Sequence, residues 1–284
     1  MEIIGKQEVW SFAAKARKSS VMTCTEIRNA TAHGVDSFIE LATKIAELQF
    51  MNRDHVLIYR GQQSDYKNRN GATSLQPSMF RPEPAGRYGQ DVLRHRFALL
   101  KRAEQSLVEE YSYHNFLGQQ RLERQQIVRW SILQHYEVCP TPLLDVTHSL
   151  RVAASFASHA ATGQAYLFVL GVPNLSGAIT ASAEAGIQIV RLSSVCPPAA
   201  LRPHIQEGYL LGEYPEMTGY DQKRQYSHFE VDFGRRLIAK FQFNPATFWK
   251  GTTFPRVGKA ALYPNKKDKL FDLASSIKGN LRLR

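Results

Sequence analysis

The chain has 284 residues, 43% hydrophobic and 21% charged, enough for one large domain or a main domain with a small appendage. That balance excludes a disordered, collagen-like or mini-protein chain. The 36 Lys and Arg against 25 Asp and Glu leave a net charge of +11 with His neutral, which favours a polyanionic partner (nucleic acid, a phosphate-bearing cofactor or an acidic protein), although a scattered surplus also aids solubility.

In chain order, residues 1–33 lack a sustained apolar period and read as an N-terminal arm or accessory helix, with residues 34–284 as the main domain. Asp36 or Ser37 can cap a helix to about Phe50, with Phe38, Ile39, Leu41, Ala42, Ile45 and Leu48 as its apolar stripe. Val56 to Tyr59 is a short buried strand ending at Arg60-Gly61. Gln62 to Gln90, rich in Gly, Pro, Asn and Ser, reads as a long functional loop over the surface. Helical spacing from Asp91 to about Tyr136, interrupted near Asn115 to Gly118, predicts two helices, and Ser149 to Ala160 another. Ala165 to Val172, Ile187 to Leu192, Tyr209 to Glu213 and Arg236 to Phe243 read as strands, and a closing helix follows Pro264.

Strands mixed with helices without regular alternation predict an α+β fold, a mixed or antiparallel sheet core with helices around it. No run approaches about eighteen apolar residues, and Met1 to Lys6 lacks the apolar core of a secretory signal, so the expected setting is soluble and cytoplasmic with no membrane partner. Cys24, Cys139 and Cys196 are too far apart for a zinc or disulfide framework and read as buried free thiols; Cys139 alone lies near reactive residues. Neither Gly-rich phosphate signature occurs, so any nucleotide must be held another way.

Three clusters can carry chemistry. In Tyr59-Arg60-Gly61-Gln62 a planar guanidinium leaves a strand end, suited to a phosphate or carboxylate, or equally to a structural acid or chain carbonyl; the glycine allows a sharp turn or a close ligand. In Gln134-His135-Tyr136 and Pro140 to Ser149, a helix end, a proline-braced loop and a new helix start gather His135, Thr141, Asp145, Thr147 and His148, which also suit capping. A hydrolase triad there lacks its G-x-S-x-G elbow, and His135 with His148 lacks a third metal ligand, so no metal is expected. In Arg202 to Leu210, Gln206 and Glu207 sit where a strand begins, facing a cleft or satisfying a sheet rim.

These residues resemble the FRG domain, named for its Phe/Tyr-Arg-Gly motif. The likeness comprises Tyr59 to Gln62, Leu75 to Ser78 with Arg81, Gln134 to Tyr136, Pro140-Thr141 and Leu143 to Thr147, then Arg202, Gln206, Gly208 and Leu262-Tyr263-Pro264, in order from about 35 to 278. The chain departs from the pattern at Glu137 where the family has Gly, Pro142 where it has Arg and Val146 where it has Trp, and Tyr214 to Val231 looks like an insertion. A more distant similarity runs to ADP-ribosyltransferases of the Arg-Ser-Glu type, which need no Gly-rich loop.

That resemblance implies NAD as substrate, in a transferase or NAD glycohydrolase of bacterial or phage conflict, with toxin or phage-defence roles. Arg60 would anchor phosphate, Thr147 or Ser149 would orient, Gln206 or Glu207 would take the late position, and His135 or Asp145 would supply polarity or proton transfer. Tyr59, Gly61, Gln62, Tyr136, Thr141 and Asp145 would complete the NAD site. Gln206 brings no negative charge to a reaction that develops a ribosyl cation, which is where the correspondence is thinnest. The alternative is a non-catalytic module binding nucleic acid or a protein; a nuclease is disfavoured by the lack of paired carboxylates.

Overall fold

The computed structural model describes residues 7–82, 89–223, 231–250 and 254–282. It opens with a hairpin, β1 (Glu8–Ser11) and β2 (Ser20–Thr23), then α1 (Cys24–Asn29) and the two-residue β3 (His33–Gly34). Val9, Phe12, Cys24 and Ile27 of this segment are buried in the same hydrophobic cluster as the central sheet. Next come α2 (Phe38–Met51), capped by the Ser37 hydroxyl, and β4 (Val56–Gln62).

Three helices rather than two follow: α3 (Gln90–Tyr113), α4 (Gln119–Arg124) and α5 (Gln126–His135). The first break falls where Asn115 and Gly118 take positive φ, at 52° and 93°. Then come β5 (Leu144–Thr147), α6 (Leu150–Ala160), β6 (Ala165–Val172), β7 (Ile179–Ser182), β8 (Ile187–Arg191), α7 (Leu192–Val195) and α8 (Leu201–Ile205). The chain continues with β9 (Gly208–Glu213), α9 (Tyr220–Lys223), β10 (Leu237–Phe243), α10 (Pro245–Phe248), α11 (Lys259–Leu262) and α12 (Lys269–Arg282). The segment that looked inserted falls partly on 224–230, outside the described residues.

The fold is α+β. Eight strands pair in the order β3-β10-β6-β4-β5-β9-β8-β7, antiparallel except β3 with β10. Neighbours along β8 and β9 fall into different clusters: Ile189 and Leu211 join one, Val190 and Leu210 the other. That period-two alternation marks a sheet buried on both faces. On one side lie α2 and α6; on the other lie α3, α5 and α12. No helix among the described residues is long and apolar enough to cross a membrane.

Two expectations need correction. Leu144–Thr147, read as the end of a loop, is a strand in the middle of the sheet, its register fixed by four pairs with β9. A four-residue strand between a proline-rich turn and a helix is too short for periodicity to reveal. The segment after Gln62 is not wholly a surface loop either. Leu75, Met79 and Phe80 are buried, Leu75 N–H donates to Asp232 Oδ1 at 2.8 Å, and Arg96 Nη1 donates to the carbonyls of Met79 and Arg81 at 2.8 and 2.7 Å. Its turn-forming composition masked an apolar plug that is pinned to the core.

Candidate functional site

A seam in the sheet makes the site. β4 holds seven register pairs with β6 on one side but only one, Tyr59 opposite Thr147, with β5 on the other. Beyond that pair the strands part, and Arg60 bridges the opening, its Nη1 donating to the carbonyl of Asp145. The resulting cleft, about 290 Å³, is lined from β4 by Tyr59 to Gln62, from the end of α5 by Gln134, His135 and Glu137, and from β5 by Asp145 to Thr147. α6 closes it with Ala153 and Phe156, and Arg202, Gln206, Gly208 and Tyr263 close the far side. Arg60, His135, Thr147 and Gln206, far apart in sequence, therefore meet at one cavity.

Gly61 lies inside β4, not at a turn. A Cβ there would stand 1.9 Å from the Ala153 carbonyl oxygen and 2.9 Å from the Ala157 nitrogen. The glycine is needed because the backbone of α6 packs directly on the strand, and that contact brings Phe156 over the cleft.

His135 ends α5 and is buried, with Nδ1 3.5 Å from Asp145 Oδ1. Burial pushes the imidazole pKa down, and the nearby positive Arg202 adds to this, while the Asp145 carboxylate pulls it up; the net direction is down. Asp145 has the opposite balance: burial would raise its pKa, but hydrogen bonds from His135 and Gln134 and the charge of Arg60 hold it below the ordinary carboxylate range. The pair is a neutral imidazole oriented by an ionised carboxylate, with Nε2 buried and without a hydrogen-bond partner among the described residues.

Gln134 fixes the carboxylate. Its Oε1 accepts from the Thr141 hydroxyl at 2.6 Å and the Ser78 hydroxyl at 3.1 Å, which leaves Nε2 to donate to Asp145 Oδ2 at 2.6 Å. Thr141 is thus a brace behind the cleft and does not line it. Tyr136 also lies outside the lining: its hydroxyl donates to Asp268 Oδ2 at 2.9 Å, and burial raises its pKa. Thr147 lines the cleft, but its hydroxyl donates to the carbonyls of Gln206 and Glu207 at 2.8 and 3.1 Å and accepts from Ser149 N–H at 3.0 Å. That hydroxyl ties down the 206–207 turn.

Gln206 caps the short helix α8 instead of starting a strand, and its Nε2 donates to the Leu262 carbonyl at 2.7 Å. Glu207, in left-handed backbone at φ 45°, is exposed and outside the lining, as is His148, which packs edge-on to Tyr209. Cys139 is buried outside the cleft, and burial pushes its thiol up to about 12, so it is no nucleophile at neutral pH. No group of three or more His, Cys, Asp or Glu that could hold a metal occurs among the described residues.

Arg202 and Glu137 are charged residues of the cleft to which the sequence assigned no role. Arg202, buried, stacks over Tyr263 at 4.8 Å and donates Nη2 to Glu137 Oε1 at 2.9 Å. Glu137 carries φ 56°, and the amides of Glu137 and Val138 return to the carbonyls of Gln134 and Leu133 at 3.0 and 2.9 Å. This is a helix C-terminal cap whose left-handed position usually takes glycine. The departure from Gly at 137, visible in the sequence, was the signal: a side chain kept at a strained position needs a contact, and here it is Arg202.

Besides His135 Nε2, the buried side-chain atoms Arg60 Nε, Gln62 Oε1 and Arg202 Nε have no hydrogen-bond partner among the described residues. Each such atom costs about 1–3 kcal/mol against a solvated reference. Four of them belong to residues that line this one cavity. Two wider hollows, about 640 and 680 Å³, lie elsewhere and share none of these residues.

No curated protein and no solved structure matches the chain. A protein-family match covers residues 55–165, which hold β4, the plug, the His135–Asp145 pair and α6, but not Arg202, Gln206 or Tyr263. The strands, the brace and the imidazole–carboxylate pair that open this cleft are therefore those of an FRG domain, and the chain carries one over residues 55–165.

Proposed function

We propose that this FRG-domain protein cleaves NAD at its nicotinamide–ribose bond and passes ADP-ribose to water or to an acceptor. The observation that carries the reading is the Arg60 guanidinium, half-buried and bonded among the described residues only to a chain carbonyl, in the same cleft as an imidazole held by an ionised carboxylate. A guanidinium lining a cleft suits a phosphate oxygen.

In the reaction the C1′–N bond breaks, its electron pair leaves with neutral nicotinamide, and positive charge develops on the ribose. The late-position Gln206 supplies no charge to meet it, whereas the Asp145 and Glu137 carboxylates line the same cavity. His135, neutral because of burial, offers Nε2 to take the proton from the attacking water or hydroxyl as oxygen bonds to C1′. Thr147 acts through the turn it fixes, as a positioning residue. The net charge of +11 favours nucleic acid or an acidic protein as acceptor, and NAD consumption or modification of such a target suits a toxin or phage-defence role.

Incubating the chain with adenine-labelled NAD, alone and with protein and nucleic-acid acceptors, tests the reading. Labelled ADP-ribose, free or attached, is expected; NAD left intact under all three conditions overturns it.

A further inference from the structure

Beside the cleft lies a second hollow of about 360 Å³, lined by Tyr66, Lys67, Ser74, Gln76, Arg81 and Gln62, the last shared with the cleft itself. Gln62 stands two residues beyond Arg60 on β4, so both side chains leave the same face of the strand. Its Oε1 is buried and lacks a hydrogen-bond partner among the described residues, and the side chain lines both spaces.

Arg81 presents a second guanidinium there. Its Nε donates to the Gln76 carbonyl at 2.9 Å, and it forms no ion pair among the described residues. The plug that carries it is pinned by Arg96, whose Nη1 donates to its carbonyl and to that of Met79. Lys67 pairs with Asp65 at 2.6 Å, and Asp65 also pairs with Lys240 at 3.1 Å, so this trio keeps one net positive charge beside the hollow. Asp145 is the acid that faces both arginines, and its carboxylate oxygens are engaged by His135 and Gln134. Burial, with the positive charge of Arg81 acting the same way, lowers the pKa of Arg60 to about 10.

We infer that the two hollows form one bipartite site in which Arg60 and Arg81 together grip a diphosphate, with Gln62 at the junction, and that the second hollow receives the part of the substrate beyond it. The inference rests on the NAD reading for the substrate's name, but not for its chemistry: the arrangement selects a pyrophosphate-linked ligand over a nucleoside or a monophosphate. Two forked cations meet two adjacent phosphates without any Gly-rich loop.

Titration calorimetry of the full chain with inorganic pyrophosphate and with inorganic phosphate tests it. Pyrophosphate is expected to bind at least about tenfold more tightly than phosphate, and R81Q and R60Q each to remove about that tenfold advantage. R81Q that binds pyrophosphate within about twofold of the parent overturns the inference. A second readout needs no substitution: pyrophosphate should shield both Arg60 and Arg81 from an arginine-directed dicarbonyl reagent, mapped by mass spectrometry, and shielding of Arg60 alone also overturns it. Pyrophosphate held by both arginines in a chain that leaves NAD intact would sink the NAD reading and sustain the bipartite site; NAD cleavage at the parent rate by R81Q would do the reverse.

Discussion

At the scale of single residues, His135 couples the site to pH. Burial drives its pKa below the ordinary 6.5. Between the lowered value and 6.5 the unfolded chain takes up a proton that the folded chain refuses, so stability rises with pH through that window and levels off above it. His55 is shifted the same way, also by burial. Each group can contribute a slope of up to about 1.4 kcal/mol per pH unit. His135→Gln is expected to flatten the rise in urea-unfolding stability between about pH 5 and 7, leaving the share due to His55; an unchanged slope would show that His135 is not buried as a neutral imidazole. A second prediction concerns Glu137. Both Glu137→Ala and Glu137→Gly lose the contact with Arg202, but only glycine relaxes the left-handed backbone, so the glycine variant is expected to be more stable than the alanine variant by about 1 kcal/mol in denaturant titrations. Equal stabilities would contradict the φ of 56°. Residue types were readable from sequence at Arg60, His135 and Asp145. The uses of Thr141, Thr147 and Tyr136 were not, because a sequence does not say where a hydroxyl sends its proton.

At the scale of elements, two glycines separate stability from activity. Gly61→Ala sets a methyl against the backbone of α6, which cannot yield as a side chain does, so a loss of about 3 kcal/mol or more is expected from overpacking. Gly208→Ala meets the tip of Leu192 at 2.8 Å and His135 Cε1 at 3.4 Å, both of which can give. Its stability is expected to fall by only about 1 kcal/mol while nicotinamide release drops more than tenfold, roughly, because the imidazole is displaced. The reverse ranking, with Gly61→Ala the milder in stability, would contradict the packing of α6 on β4. The long helices and β6 were legible because each runs for several turns or pairs with one pattern throughout. β5 was not, being four residues long, nor were the two-residue β3 and the plug, whose partners at Asp232 and Arg96 lie far away in sequence or on another element.

For the molecule as a whole, the sheet carries two cores, and the residues before α2 belong to the one under α2 and α6. Arg28 of α1 pairs with Asp232 at 2.6 Å, both side chains less than a tenth exposed. Breaking a buried pair from one side leaves the other charge without its partner, so Arg28→Ala is expected to lower stability by about 3–5 kcal/mol in chemical denaturation. A loss below about 1 kcal/mol would show that α1 is not locked to the sheet. The α+β class was readable because strands and helices do not alternate; the sheet order was not, since 81 residues separate the end of β4 from the start of β5 and the two strands meet at a single pair. That single pair opens the cleft, and the account stands on what the cleft does. The most direct test is nicotinamide release from NAD by the parent chain and by Arg60→Ala, each first shown to unfold cooperatively. The parent is expected to release nicotinamide and Arg60→Ala to lose at least about 100-fold of that rate; no release by the parent, or equal rates from the two, would contradict it.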